Sequence, residues 1–379
     1  MKQSLIDKNI NQNIKEKQNS QTIANNKTTL KKGKQQKCFN CGGNLIYYPN
    51  KQDLMCEKCL VHQKIAHISK VQTHTLTTVD CNTQPKNVIN YNSSMQCPNC
   101  GSKISLNKFE YSKDCDYCNS SVVAQDASLV VKKPDGIIPF MFDKDLASDK
   151  FVQNVKKNFW APNKFKKKLP KSNIEGDYIP SFGFNADVVY TYNGKLYNNV
   201  TVRDSDGNSR TERRYFNISG ANNTRYENIL VESSSKMMQN QINGVLPFNY
   251  NQSKKYSDAY IAGYVVEHYD TAVGGCLQKY KTLLEENIKK DILSKYSYDG
   301  VSFLNIHKNV SNESYSYYLV PVYKFTYSYK NKTYKTYMNG QTGRLDNNIP
   351  KSKLKTTLVV LLPFLLVISF IILGFIFGK

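Results

Sequence analysis

The sequence lacks the short motifs that mark the common enzyme classes. It has no GxxxxGKS or GxxxxGKT phosphate loop, no GxSxG nucleophile elbow, no HExxH signature and no glycine-rich dinucleotide-binding turn. Glu267, His268 and Asp270 follow a predicted strand and could form an acid/base group, but a polar surface cluster is the simpler interpretation. We therefore assign no catalytic residue and favour a protein that is not an enzyme.

Acidic residues are scarce. The 379-residue chain has 30 Asp and Glu against 52 Lys and Arg, which gives a formal net charge of +22. Such an excess favours anionic partners, namely nucleic acid, acidic lipid or an acidic protein. Lys, Asn and Tyr are abundant together, however, and an A/T-rich genome produces the same composition without selection for binding. The charge alone therefore does not choose a partner.

An N-terminal apolar run is also missing, so no signal peptide is predicted. Residues 1–36 are rich in Lys, Asn and Gln and have no hydrophobic period, which predicts a disordered basic tail. Without an export signal we expect the thiols to meet a reducing cytosol. Paired cysteines in that compartment bind metal more often than they form disulfides.

Eight of the ten cysteines form four CxxC pairs, grouped as two modules with fourteen residues between the pairs of each. The equal spacing indicates a repeated zinc ribbon, over residues 37–70 and 95–125, with a linker over 71–94. Four thiolates suit a structural Zn²⁺ with no open position, and iron in a rubredoxin-like site is the main alternative. We predict two structural zinc ions, with these ligands: Cys38, Cys41, Cys56, Cys59, Cys97, Cys100, Cys115 and Cys118.

Residues 137–350 form the largest predicted unit. Helical spacing of apolar residues occurs over 143–159 and 271–294, with Cys276 in the second pattern, whereas 179–202 and 315–344 alternate like strands. The segments around Asn331 and Gly340 predict hairpin turns. These patterns predict an α+β fold with a mainly antiparallel sheet.

Residues 356–378 contain no charge and are long enough to span a bilayer as one helix, with Pro363 in the first third. Three lysines precede this segment and one follows it, so the positive-inside rule predicts that the bulk of the chain is cytoplasmic. The sequence thus predicts a single-pass, tail-anchored protein of a bacterial cell membrane, in contact with membrane lipid.

The second module, the string from Pro134 to Phe140 and the string from Tyr337 to Gly343 together resemble bacterial TFIIB-type zinc ribbon-containing membrane proteins, some of which carry the label of a primosomal helicase. The resemblance covers most of the chain from Lys37 to Lys353. It implies zinc ribbons, an α+β domain and a membrane anchor, and it implies no known activity.

Three functions remain open at this point. The first is a non-enzymatic binding or adaptor module for protein or nucleic acid at the membrane. The second is an enzyme with an unrecognised pocket in residues 137–350. The third is a structural or quality-control component of the cell envelope.

Overall fold

The computed structural model describes residues 36–66, 71–78, 80, 94–105, 110–118, 120–123, 133–169, 172–203, 207–234, 237, 239–267, 269–346, 348–362 and 364. Nearly all of the tail predicted over 1–36, and most of the linker predicted over 71–94, lie outside these residues.

Three long strands dominate the described residues. They are β10 (Asn173–Arg203), β11 (Ser209–Glu232) and β14 (Gly300–Tyr329), and β10 lies between the other two, antiparallel to both. Their sequences are rich in Tyr, Phe, Val and Ile, which favour half-buried strands. Bulges interrupt the registers near Asn185, and Asn228 and Asn312 adopt left-handed backbone angles there.

Shorter strands extend the sheet. Among the described residues it contains ten strands, in the order β12-β9-β14-β10-β13-β7-β8, with β11 beside β10 and with β15 and β4 beside β14. The short strands of this sheet are β4 (His74–Thr75), β7 (Glu110–Asp114), β8 (Ser121–Val123), β9 (Gly136–Ile137), β12 (Lys254–Lys255), β13 (Val265–Glu267) and β15 (Lys332–Asn339). Two further small sheets hold β1 (Leu45–Tyr48), β2 (Asp53–Cys56) and β3 (His62–Gln63), and β5 (Ser94–Gln96) with β6 (Lys103–Ser105).

The predicted α+β class with a mainly antiparallel sheet is wrong. Strands predominate, and the large sheet is mixed because β9 pairs with β14, and β13 with β10, in parallel. The physical reason is the length of β10, β11 and β14, which run through polar stretches where shorter strands were expected.

Helices flank this sheet. They are α1 (Lys144–Lys157), α2 (Asn163–Lys167), α3 (Gln239–Val245) and α4 (Val273–Leu293). Helix α4 places one buried residue on each turn, so that its apolar stripe covers one face of the long strands. Within that contact the Tyr280 ring stacks on Phe184 at 4.5 Å, and the Tyr226 hydroxyl donates to Asp291 at 2.6 Å.

The segment 259–267 joins both cysteine modules to the sheet, and we call it the bridging segment. The Ala262 carbonyl accepts from the Tyr47 N–H of the first module at 2.9 Å. The Gly263 N–H donates to the Ser121 hydroxyl of the second module at 2.7 Å, and β13 pairs with β7 of that module. Each module is therefore built onto the sheet.

The C-terminal prediction requires correction. Residues 353–362 are helical, and at 1.5 Å per residue they cover about 15 Å, half of a hydrocarbon core of about 30 Å. The start of this helix is tied to the folded domain, since the Lys355 ammonium donates to the Phe159 and Ala161 carbonyls at 2.9 and 3.0 Å. Residues 363 and 365–379 lie outside the described ones.

No helix among the residues that the structure describes is long and apolar enough to cross a membrane. The predictions of a transmembrane helix over 356–378 and of a single-pass membrane location are therefore withdrawn.

Candidate metal centres

The first cluster consists of Cys38, Cys41, Cys56 and Cys59, which two tight backbone turns bring together. In the first turn, the Gly42 N–H donates to the Cys38 carbonyl at 2.9 Å, and Gly42 has φ 67°, a left-handed angle that glycine adopts without a steric penalty. In the second, the Leu60 N–H donates to the Cys56 carbonyl at 3.0 Å. The antiparallel pair β1–β2 holds the two turns side by side.

The second cluster repeats this design with Cys97, Cys100, Cys115 and Cys118. Gly101 has φ 76°, and its N–H donates to the Cys97 carbonyl at 2.9 Å. Strand β7 leads into Cys115, as β2 leads into Cys56. The two modules thus share their first turn as well as their spacing.

The spacing of the sulfurs fits a tetrahedral metal ion. Sulfur–sulfur distances are 3.6 Å for Cys38–Cys59 and 3.5 Å for Cys41–Cys56 in the first cluster. In the second cluster, the two corresponding distances are both 3.7 Å. A tetrahedron with metal–sulfur bonds of about 2.3 Å has edges of about 3.8 Å. In each cluster all four sulfurs lie within 4.8 Å of one another, so each group could hold one metal ion.

The first cluster contains one thiol that ionises easily and one that does not. The Val61 N–H lowers the pKa of Cys59 to about 6. The Gly43 N–H also acts to lower the pKa of Cys41, but the surrounding sulfurs outweigh it and raise this pKa to about 11. Four crowded sulfurs therefore resist full deprotonation until a cation neutralises them, as expected of a metal site.

Two serine hydroxyls distinguish the second cluster, and sequence reasoning missed them. Ser102 Oγ lies 2.9 Å from the Cys100 sulfur, and Ser120 Oγ lies 3.0 Å from the Cys118 sulfur. Burial raises the pKa of Cys118, but the hydrogen bonds, led by that of Ser120, outweigh it and lower the pKa to about 6. In the sequence of the second module, a serine lies two residues after the second cysteine of each CxxC pair, and this position was the signal for the two hydroxyls.

The two clusters differ in their surroundings. Buried residues of the first module, among them Cys56 and Tyr47, belong to the same hydrophobic core as the long strands. Cys97 and Cys115 of the second module share only a small core with Ile104 and Val122. The first metal centre is therefore part of the main core, and the second is attached to it through the strand pair β7–β13 and the Gly263–Ser121 hydrogen bond.

Three further side chains of types that can bind metal lie outside both clusters. His62 Nδ1 is 2.9 Å from Asp53, and His74 Nε2 is 2.8 Å from Asp135, so neither histidine joins a cluster. Cys276 is fully buried in α4, and burial raises its pKa to about 12. His67 and Cys81 lie outside the described residues.

A cavity of about 480 Å³ lies where β10, β13, β14 and β15 meet the second module. The Lys324 ammonium contacts Glu175 and lies 3.9 Å from Asp177; these carboxylates raise the lysine pKa although burial opposes them. Glu267 also faces the cavity and accepts from the Ser234 hydroxyl at 3.2 Å. Its sequence neighbour His268 lies outside the described residues. No His, Cys or Ser is among the described lining residues.

The chain is similar to YdjG, an uncharacterised protein of Bacillus subtilis (strain 168). The two are 29% identical over 223 residues, which is 58% of this chain and 64% of that protein. The match therefore spans less than two thirds of the relative's own length. No family model matches the chain, and no solved structure is significantly similar to it. These comparisons assign no function, so the functional evidence lies in the described geometry.

Proposed function

We propose that both clusters hold Zn²⁺ as structural ions and that the protein is a non-enzymatic binding module. The observation that carries this proposal is the closed set of four sulfurs in each cluster, spaced for a tetrahedral ion. Such a set leaves no position for a water or a substrate, and zinc favours it. The resemblance to TFIIB-type zinc ribbon proteins supports the zinc assignment.

The exposed tips of the modules support a binding role. Phe39, between the first two cysteines, is 75% exposed, and Tyr117, between the last two, is 74% exposed. Large apolar side chains on turns fixed by metal are suited to contact with a partner, because the turn is held rigid before binding. This arrangement supports an adaptor role toward protein or nucleic acid.

Metal analysis of the full chain, purified under reducing conditions without chelators, tests the zinc assignment. We expect about two zinc ions per chain. Replacement by Co²⁺ should give the visible absorption of a tetrahedral thiolate site. Cys56→Ser and Cys115→Ser should each remove one ion. A wild-type protein that holds iron, or no metal, contradicts the assignment.

The binding role is tested by crosslinking in cells that express the wild type or the Phe39→Ala/Tyr117→Ala double variant. The variant should keep both zinc ions and lose the crosslinked partner. Leu146→Ala, which removes a 42% exposed apolar side chain from α1, is the control and should keep the partner. A crosslinking pattern identical in all three proteins argues against the role of the tips.

The alternative is an enzyme that uses the charged cavity beside β13. Its charges already form contacts with one another, as between Lys324 and Glu175, and this favours a structural role. Bound small molecules found by mass spectrometry of the native protein, and lost on Lys324→Met substitution, would favour the enzyme instead.

A further inference from the structure

The far ends of the three long strands expose one sheet face to solvent. Along β10, Tyr192, Gly194 and Leu196 are buried, whereas Asn193 is exposed, and Lys195 and Tyr197 are partly exposed. Because successive side chains of a strand point to opposite faces, the odd-numbered residues of this stretch share the outer face. Cross-strand pairing adds their partners on β11 and β14. We call this surface the outer face; it comprises Asn193, Lys195, Tyr197, Asn199, Thr201, Thr211, Arg213, Tyr215, Asn217, Ser219, Phe303 and Asn305.

Aromatic rings lie at the centre of the outer face. Tyr197 and Tyr215 are directly opposite each other, with ring centres 5.6 Å apart. Phe303 stands opposite Lys195 on the other side of β10. Tyr215 is 48% exposed and Phe303 is 46% exposed, whereas nearly all the tyrosines of β14 are buried in the core. Aromatic side chains left in water together mark an interaction site.

Positive charges lie among these rings. The Arg213 guanidinium is 4.7 Å from the centre of the Tyr197 ring, and the Lys195 ammonium is 5.8 Å from that of Tyr215. The outer face as defined contains no Asp or Glu. At its edge the Asp299 carboxylate accepts from the Asn199 N–H at 2.6 Å, so its charge is engaged by the backbone.

Amide side chains surround the aromatic centre. The Asn305 amide donates to Asn193 at 3.2 Å across β14 and β10, and Asn217 is exposed on β11. Amides can donate and accept hydrogen bonds, and they therefore suit the edges of unpaired bases. The face thus combines rings for stacking, cations for phosphates and amides for base edges.

We infer that the outer face binds single-stranded nucleic acid. This inference rests on the proposed function, because it gives a partner class to the binding module. Rings on an open sheet stack on unpaired bases, while a duplex keeps its bases stacked on one another and offers no ring partner. A second copy of the chain is disfavoured as the occupant, because Lys195 and Arg213 of one copy would then face the same positive charges of the other copy.

Fluorescence anisotropy with the full chain tests this inference. The probes are labelled single-stranded DNA and RNA of about 12 nucleotides, and a duplex of the same sequence. We expect tighter binding of the single strands than of the duplex. The logarithm of the binding constant should fall linearly with the logarithm of salt concentration between about 50 and 200 mM, with a slope of about −0.7 for each phosphate neutralised.

Adjacent arginines supply a matched pair of variants. Arg213 lies on the outer face, whereas Arg214, also exposed, is the next residue of β11 and lies on the opposite face. Arg213→Gln and Arg214→Gln change the net charge equally. Arg213→Gln should weaken binding and make the salt slope shallower by about 0.7, and Arg214→Gln should leave both nearly unchanged.

The aromatic contribution is measured with Tyr215→Ala and Phe303→Ala, each of which should weaken binding about tenfold or more. Leu146→Ala, which removes an exposed apolar side chain from α1, is the control and should bind as the wild type does. The zinc content and the circular dichroism of every variant are measured on the same samples, so that loss of binding is separated from loss of folding.

Three outcomes overturn the inference. They are absence of single-strand binding by a wild type that holds two zinc ions, equal effects of Arg213→Gln and Arg214→Gln, and self-association through this face, seen as a dimer that Tyr215→Ala dissociates. In each case the zinc assignment stands. A protein without zinc that still binds through the outer face would contradict only the proposed metal centres.

Discussion

Substitution of Tyr47 tests how firmly the first metal module is joined to the sheet. Tyr47 lies on β1 and is 2% exposed. Its ring meets the Tyr260 ring of the bridging segment edge to face at 5.4 Å, and its hydroxyl donates to the Phe140 carbonyl at 3.1 Å. Tyr47→Ala removes both contacts and opens a cavity between module and sheet.

The ring contact and the hydrogen bond of Tyr47 differ in how much they contribute to the free energy of unfolding. Truncation of a buried aromatic side chain to alanine costs about 3 to 5 kcal/mol, because burial is lost and a cavity remains. Loss of a single neutral hydrogen bond costs about 1 kcal/mol. The Phe140 carbonyl also accepts from Gln52 Nε2 at 2.7 Å, so it keeps a partner in Tyr47→Phe. We therefore expect a loss of about 4 kcal/mol for Tyr47→Ala and less than about 1 kcal/mol for Tyr47→Phe.

Urea unfolding of the full chain, followed by circular dichroism, measures both values. Metal release to a chromogenic chelator in the same titration reports on the module itself. Tyr47→Ala should release one ion before the sheet unfolds, and Tyr47→Phe should release both as the wild type does. Equal stabilities of the two variants would refute the view that the module shares its core with the sheet.

Three further predictions concern the metal centres, a buried acid and a close backbone approach. Cys56→Ser should destabilise the whole chain, while Cys115→Ser should unfold mainly the second module, as seen by amide hydrogen exchange. Burial raises the pKa of Glu232 to about 8, so the folded state holds this proton more tightly than the unfolded state. Stability should therefore fall between about pH 4.5 and pH 8, with a contribution from Glu232 of at most about 1.4 kcal/mol per unit. The fall should persist in the exposed control Glu227→Gln and become shallower in Glu232→Gln, where the raised pKa of Asp346, about 6, still contributes. Gly340→Ala should lower the free energy of unfolding in urea by about 1 to 3 kcal/mol, because the new Cβ would overlap the buried Phe140 ring.

The metal clusters could be predicted from sequence because their geometry is local. Two cysteines separated by two residues, with a glycine next, specify a turn that needs no distant contact. Gly42 and Gly101 both have the left-handed angle that this motif requires. The hairpin turn at Lys330 and Asn331 was predictable for the same reason, since both residues have positive φ there.

The sheet could not be predicted because its pairings are long-range. Gly176 and Tyr323 face each other across β10 and β14, and nothing near either residue in the sequence specifies the other. The interior of β10 also contains Asn193-Gly194, a dipeptide typical of turns, yet the strand continues through it. The tertiary pairing on both sides of β10 overrides that local preference.

The outer face was missed for a related reason. The aromatic residues of 315–344 do not form such a face, because Tyr317 and Tyr323 are fully buried beneath other elements. Tyr215 and Phe303 are far apart in sequence and become neighbours of the same strand only through the order β11-β10-β14. Composition identifies the residue types of such a face, and only the sheet order identifies its members.

The bridging segment gives the two metal modules a common support. Its residue Gly263 has φ 90°, an angle that disfavours any side chain, and its N–H bonds Ser121 of the second module. A Cβ at this position would lie 3.5 Å from Ile46 of the first module, so both modules approach the same backbone. Displacement of either module would therefore remove a contact of the segment that holds the other. Loss of metal at one centre should then lower the metal affinity of the other. The first-module ion should therefore be released more readily from Cys115→Ser, which holds only that ion, than from the wild type.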